Sequence, residues 1–347
     1  MHRWICGLVL LSLLSAAHAS SAIWTVTSTG SGGACTANST SDPDCTLDAG
    51  IAAAGSGDVV EFAAAVQGQT ITMAEQVVAV SLTIDGSPGG VVLDGGNANP
   101  LIDIALSATV TLSHLTLQHG SAAAASGGGI YNDGTLTLDS CAVAHNSAGL
   151  NGGGIYSDGT LTLTNSTIAD NTATSGGGIF SSGTLIIGNS TIAGNDASGA
   201  GLGGGMYLTQ GYILLLSDLI AGNGAGSGPD VFANASTLFY SRGNNLIGNG
   251  TGSNLTAQSS DQVGTAASPV DPRFLAAGLA DNGGATPTLG LQLSSPAFKS
   301  GKCSGSSTPP YPIPAVIVDQ RGLPRAPAAC TVGAFDLNEI FEDTFEG

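Results

Sequence analysis

The chain has 347 residues, a net charge of −18, only 9% charged side chains and 53 glycines. Hydrophobic residues make up 42% of it, enough to build a core, so the glycine content does not signify a disordered chain. Its seven basic residues are Arg3, Arg242, Arg273, Lys299, Lys302, Arg321 and Arg325; an acidic chain without a basic stripe excludes nucleic acid as a partner.

Residues 1–19 read as a signal peptide. His2 and Arg3 give a weakly basic start, Trp4 to Leu14 is an apolar core too short to span a bilayer, and Ala17-His18-Ala19 is a small-residue cleavage site. Cys6 lies too far upstream of that site to carry a lipid. No later segment has the length and apolarity of a membrane helix. The expectation is a protein exported from a bacterium, outside the cell or on its surface.

Residues 20–65 are expected to form an N-terminal cap. Ile23-Trp-Thr-Val26 and Asp58-Val-Val-Glu-Phe62 have strand character, and Thr46 is placed to cap a short helix through Leu47, Ile51 and Ala54. A helical lid would cover the unpaired edge of the first coil. Cys35 and Cys45 lie in a Gly/Ser/Asp loop and are a candidate disulfide in an oxidising compartment. Neither a second close pair nor a nearby His supports a metal site there.

Residues 66–255 form the repeat region. Early strands are Thr70-Ile-Thr-Met73, Ser81-Leu-Thr-Ile84 and Thr109-Val-Thr-Leu112. Residues 126–224 then hold four copies of one unit, such as Asn151-Gly-Gly-Gly-Ile-Tyr-Ser-Asp-Gly-Thr-Leu-Thr-Leu163 followed by Ile168-Ala-Asp-Asn171. The third glycine recurs as Gly129, Gly154, Gly178 and Gly205, in steps of 25, 24 and 27. The closing residue recurs as Asn146, Asn171, Asn195 and Asn223. A fixed period in the twenties marks a stacked solenoid. The runs are short and alternate polar with apolar, which is the pattern of half-buried strands. Three strands per coil describe an all-β parallel β-helix, whose coils would pair at about 4.8 Å.

Inward columns follow from the spacing: Ile130, Ile155, Ile179 and Met206; Leu136, Leu161 and Leu185; Val143, Ile168, Ile192 and Ile220. Each buried Ile or Leu contributes roughly 1.5–3 kcal/mol, so stacked coils support one another. The asparagine column is expected to be a structural ladder of amides bonded along the axis, tolerating the left-handed conformation.

Thr25-Val-Thr-Ser28, Cys45-Thr-Leu-Asp-Ala-Gly-Ile51 and Asp58-Val-Val-Glu-Phe62 resemble the start of exported bacterial β-helix proteins that carry a CSLREA-type segment. The Arg and Glu of that pattern are Asp48 and Ala49 here. The Gly-Gly-Gly-Ile and closing-Asn pattern is similar to the GGAI and FxxN repeats of polymorphic outer-membrane proteins. The resemblance, with the usual crossover rule, implies a right-handed coil of the pectate-lyase-like class.

Residues 225–255 break the register in this reading, with Gly243-Asn-Asn-Leu-Ile-Gly248 closing the repeats. In residues 256–337, Asp271-Pro-Arg273, Thr286-Pro-Thr288 and Asp319-Gln-Arg-Gly-Leu-Pro-Arg325 resemble a choice-of-anchor Q region closing the solenoid. Cys303 and Cys330 are the second candidate pair, although connectivity does not follow from sequence. Cys141 is left over on an inward column, as a buried inert thiol. Residues 338–347 form an acidic-aromatic tail similar to IFxDGFE endings of exported proteins, with Thr344 where Gly is usual. It reads as a sorting tag or a frayed terminus.

Chemistry is less legible. Parallel β-helix lyases need an Arg or Lys base beside acidic ligands, and residues 4–241 contain neither. Hydrolases of this class need paired carboxylates flanking one bond. Asp133 and Asp158 align, but each precedes glycine, as turn residues do. GxSxG, HExxH and CxxC motifs and the calcium nonapeptide are missing, and Gly199-Ala-Gly-Leu-Gly-Gly204 matches a dinucleotide fingerprint by spelling only. His119, His145 and Asp170 share one repeat position, where they could bind a metal or shuttle a proton, or merely flank a turn. Tyr131, Tyr156, Phe180 and Tyr207 follow the inward isoleucines by one residue and should point outward. They could grip sugar rings, but packing beneath a C-terminal segment is the plainer expectation.

The favoured reading is a monomeric, non-enzymatic structural, adhesive or presenting stalk, without a cofactor, whose partners are polysaccharide or surface proteins. A polysaccharide lyase or hydrolase and a carbohydrate-binding module are the alternatives.

Overall fold

The computed structural model of the chain describes residues 21–326 and 330–337. The expected signal peptide and the tail lie outside the described residues. What is described is a parallel β-solenoid with three long faces. Face A has nine strands, from Ile23–Val26 to Leu238–Ser241. Face B has nine, from Thr70–Thr72 to Gln262–Val263, and face C seven, from Gln76–Val78 to Val231–Ala233.

The register is in step from coil to coil. Ile130 pairs with Ile155, Leu136 with Leu161 and Val143 with Ile168. These side chains are fully buried in one continuous core running from Val26 to Ile247. A fourth set of two-residue strands, Ser121–Ala122, Ser147–Ala148, Thr172–Ala173 and Asp196–Ala197, lies just after the closing position, held by Gly120, Asn146, Asn171 and Asn195. Two small residues carry no periodic signal, so three strands per coil were expected and four occur in these turns.

Residues 225–248 do not break the register. Val231–Ala233, Leu238–Ser241 and Leu246–Ile247 add a full coil in step, pairing Met206 with Val231 and Ile220 with Ile247, and Gln262–Val263 extends face B once more. The glycine triplet disappears from this coil, but the inward apolar positions that set the pairing persist.

Each glycine of the triplet answers a different demand. Gly152 is left-handed, with φ of 65°. A Cβ on Gly153 would overlap Thr172 O and Gly177 O of the next coil, and one on Gly154 would lie 3.0 Å from the Asn171 amide.

The helix Leu47–Ala53 packs beside the first strands of face A. Thr46 precedes it without a side-chain cap; its hydroxyl instead accepts the Gly33 N–H at 3.1 Å, which fixes the loop of the Cys35–Cys45 disulfide.

The second disulfide, Cys303–Cys330, lies in a C-terminal region built around the antiparallel pair Phe274–Ala280 and Thr288–Leu291. This region folds back along the outside of face B. Leu291, Ala297, Val332, Phe335 and Leu337 bury Leu219, Ala221 and Leu246. Gln320 donates to Cys141 O at 3.1 Å and accepts from the Thr167 hydroxyl at 2.6 Å.

Candidate functional site

Outside face C, the aromatic column forms as expected and is one ring longer. Tyr131, Tyr156, Phe180 and Tyr207 pair in register and continue to Phe232. Tyr131 and Tyr156 stack with centroids 4.7 Å apart, and Tyr156 and Phe180 at 4.9 Å with planes only 2° apart. Phe180 then meets Tyr207, and Tyr207 meets Phe232, edge to face. The faces of the middle rings are therefore covered by each other, and what points outward is ring edge and hydroxyl. Phe180 is only 8% exposed, whereas its tyrosine neighbours are half-buried. Among the described residues the C-terminal region does not supply this cover, since its contacts run along face B and to Ile186 and Leu214 of face A.

Three carboxylates flank the N-terminal end of the column. Asp103 is the register partner of Tyr131 in the preceding coil, and Asp133 and Asp158 follow Tyr131 and Tyr156 by two residues. Asp158 accepts from the Tyr156 hydroxyl at 2.9 Å and from the Ser182 hydroxyl, so both of its oxygens are engaged. Burial first, and then a neighbouring carboxylate, push both Asp103 and Asp133 above the ordinary range; the neighbour is Asp133 for Asp103 and Asp158 for Asp133. The Tyr131 and Tyr156 hydroxyls are also raised, by burial first, then by the neighbouring carboxylates and, for Tyr156, its hydrogen bond to Asp158.

The His119, His145 and Asp170 column lies at a turn. All three residues are left-handed, with φ of 52°, 56° and 55°, and the next two coils place Gly194 and Gly222 there. This corrects one expectation: the residue before each ladder asparagine, not the asparagine, takes the left-handed conformation. His119 and His145 stack with centroids 5.9 Å apart, and His119 Nδ1 lies 2.9 Å from Asp94. Asp170 is raised by burial, with His145 opposing. Among the described residues no group of three His, Cys, Asp or Glu side chains is arranged to hold a metal ion.

The asparagine ladder is present and buried. Asn146 donates both its backbone N–H and its side-chain amide to Asn171 Oδ1, at 3.0 Å each. Asn171 does the same to Asn195, and Asn195 to Asn223. Each amide thus accepts from one side and donates to the other, which leaves two donors at the last rung. Asp230 meets them, accepting from Asn223 N and Nδ2 at 3.0 and 2.8 Å. A carboxylate, which only accepts, suits that end.

A second axial ladder was missed. Cys141 N–H donates to Ser166 Oγ, Ser166 N–H to Ser190 Oγ, Ser190 N–H to Asp218 Oδ1, Asp218 N–H to Asn245 Oδ1 and Asn245 N–H to Asp261 Oδ1. Its signal was the column Cys141, Ser166, Ser190, Asp218, visible by alignment but disguised by changing residue type. The free Cys141 thiol at its head is buried and raised to about 12, by burial first. Burial likewise holds the Asp218 carboxyl well above its ordinary range. Sequence reading also missed His114, whose Nδ1 lies 3.0 Å from Asp85 and holds that carboxylate low.

With this geometry in view, the sequence pattern of the right-handed β-helix region matches residues 89–265. The chain belongs to the right-handed β-helix family. Among solved structures, that of pectate lyase Pel9A is similar over 90% of this chain and 96% of its own, with 13% identity and a TM-score of 0.43. At that level the likeness carries no information on substrate or chemistry. Among curated proteins, none matches the sequence.

Proposed function

We propose that this family member is an exported structural or presenting stalk, secreted or held at the surface of a bacterial cell, and not a polysaccharide-cleaving enzyme. One observation carries the reading: Asp85, Asp94, Asp158, Asp218 and Asp230 are spent on holding the coils, with Asp103 and Asp133 beside Tyr131 the exception. Asp218 and Asp230 accept backbone N–H groups within the axial ladders. Asp85 and Asp94 hold turn histidines, and Asp158 ties two neighbouring coils through Tyr156 and Ser182. Two disulfides suit an oxidising compartment, and among the described residues no helix is long and apolar enough to cross a membrane.

Cell fractionation tests the export half of this reading. The expected result is a chain processed near Ala19 and recovered outside the cytoplasm. An unprocessed chain confined to the cytoplasm, with reduced cysteines, would sink it.

A further inference from the structure

The C-terminal region carries an apolar groove of about 370 Å³, a size within the range of small-molecule sites. Leu275, Leu291, Leu293, Phe335 and Leu337 form most of its lining. Leu275 and Leu293 are 42% and 50% exposed, unusual for leucines that share one depression. A site of this kind needs a few placed polar groups to orient what enters, and three side chains of the wall supply them.

The first is Arg321, which is 8% exposed and holds its guanidinium 4.0 Å from the Phe335 ring centre. Its Nε donates to Asp319 at 2.7 Å and its Nη2 to Asp336 O at 2.5 Å. Nη1 is buried without a hydrogen-bond partner among the described residues, so one donor is unspent. The charge itself is already answered, since Asp319 pairs with the guanidinium at 2.5 Å. What the position lacks is therefore a neutral acceptor; a second buried carboxylate would find no uncompensated cation. Nη1 is closed to water, so an acceptor reaches it as wall side chains turn aside, and Leu275 and Leu293 are the exposed members of that wall.

The other two are Asn282 and Gln292. Asn282 Nδ2 donates to Thr288 O at 2.9 Å and to the Thr288 hydroxyl at 3.0 Å, and Gln292 Nε2 donates to Phe274 O at 3.2 Å. With their amide nitrogens spent on the protein, their oxygens remain as acceptors at the rim of the groove. The wall thus offers an N–H and two oxygens around an apolar surface. The neutral group that carries both a carbonyl and an N–H is an amide.

We propose that this groove binds a small, neutral amide with a hydrocarbon tail. The tail covers the leucines and the Phe335 ring, the carbonyl accepts from Arg321 Nη1, and the amide N–H donates to the Asn282 or Gln292 oxygen.

Calorimetric titration of the full-length chain with octanamide, octanoate and octylamine tests this. Octanamide should bind at least about ten-fold more tightly than either charged analogue, because each of those buries a charge without a partner. Leu293→Asp, at an exposed wall position, should weaken octanamide at least about ten-fold while leaving the urea midpoint of the chain unchanged. Leu106→Asp, at an exposed leucine outside the groove, should leave binding as it was. Failure of octanamide to bind would overturn the proposal, as would octanoate or octylamine binding equally well, or binding that survives Leu293→Asp. A dimer in light scattering that Leu293→Asp dissolves would assign the groove to a second copy and overturn it as well.

Discussion

The regular coils and the C-terminal region solve the problem of buried polarity in opposite ways. In the coils it is solved by repetition of neutral groups: each buried asparagine passes one hydrogen-bond pattern to the next, and a carboxyl group takes over where a ladder needs acceptors on both oxygens, at Asp218 and Asp230. In the C-terminal region it is solved once, by a non-repeating charged cluster. Arg325 is buried and donates to Asn165 Oδ1, Thr331 O, Gly333 O and Ala334 O, while Arg321 pairs with Asp319 at 2.5 Å. A repeated solution makes a rod of any length. A single solution fixes one place, and this one clamps a non-repeating segment onto face B.

The largest effect should come from breaking that clamp. Arg325→Met leaves its acceptors unpaired and removes the guanidinium that lies 3.9 Å from the Asp336 carboxylate, and should cost about 3–5 kcal/mol. Hydrogen exchange should show the loss concentrated in residues 286–337, with the coils retaining protection; equal loss everywhere would mean that the two regions are one cooperative unit.

Breaking one rung should cost less. Asn171→Ala removes the acceptor of Asn146 and the donor to Val143 O, and should destabilise by about 2–3 kcal/mol in urea unfolding. Because each coil contacts mainly its neighbours, protection should fall most in the coils on either side of the substitution.

The pH dependence sharpens the comparison further. Asp218 has a folded pKa above its unfolded value, so the native state keeps a proton that the unfolded chain releases. Its contribution is complete below the unfolded range near pH ~4 and is lost as pH rises through the folded value. Asp218→Asn should therefore flatten the fall of the urea midpoint above pH ~4. Asp85 has the opposite sign: its folded pKa is depressed by His114, so its contribution is present above pH ~4 and is lost as pH falls. Asp85→Asn should blunt acid sensitivity instead.

The smallest effect is expected at the aromatic column. Tyr156→Ala removes two stacking contacts at a half-buried site and should cost about 1–2 kcal/mol, read as a shift in urea midpoint.

Legibility in the sequence followed the same division. The solenoid, the inward columns, the aromatic column and the amide ladder were visible because each repeats at a fixed step. The Ser166–Ser190–Asp218 ladder repeats in position but not in residue type, so it was overlooked. The coil at 225–248 keeps its inward residues but drops the glycine triplet, and was misjudged as a break. Arg321 and Arg325 could be counted but not placed, since their partners lie up to 160 residues away, as Asn165 does from Arg325. Nothing periodic encodes such a contact.

The most direct test of the stalk is a turnover assay. The purified mature chain, at concentrations comparable to substrate, would be incubated with a polysaccharide panel while reducing ends and unsaturated products are followed. The account predicts no product above the blank, whether or not a polysaccharide binds. Product release by the mature chain, abolished in Asp158→Asn with the fold intact, would contradict it and make the acidic end of the aromatic column a catalytic site.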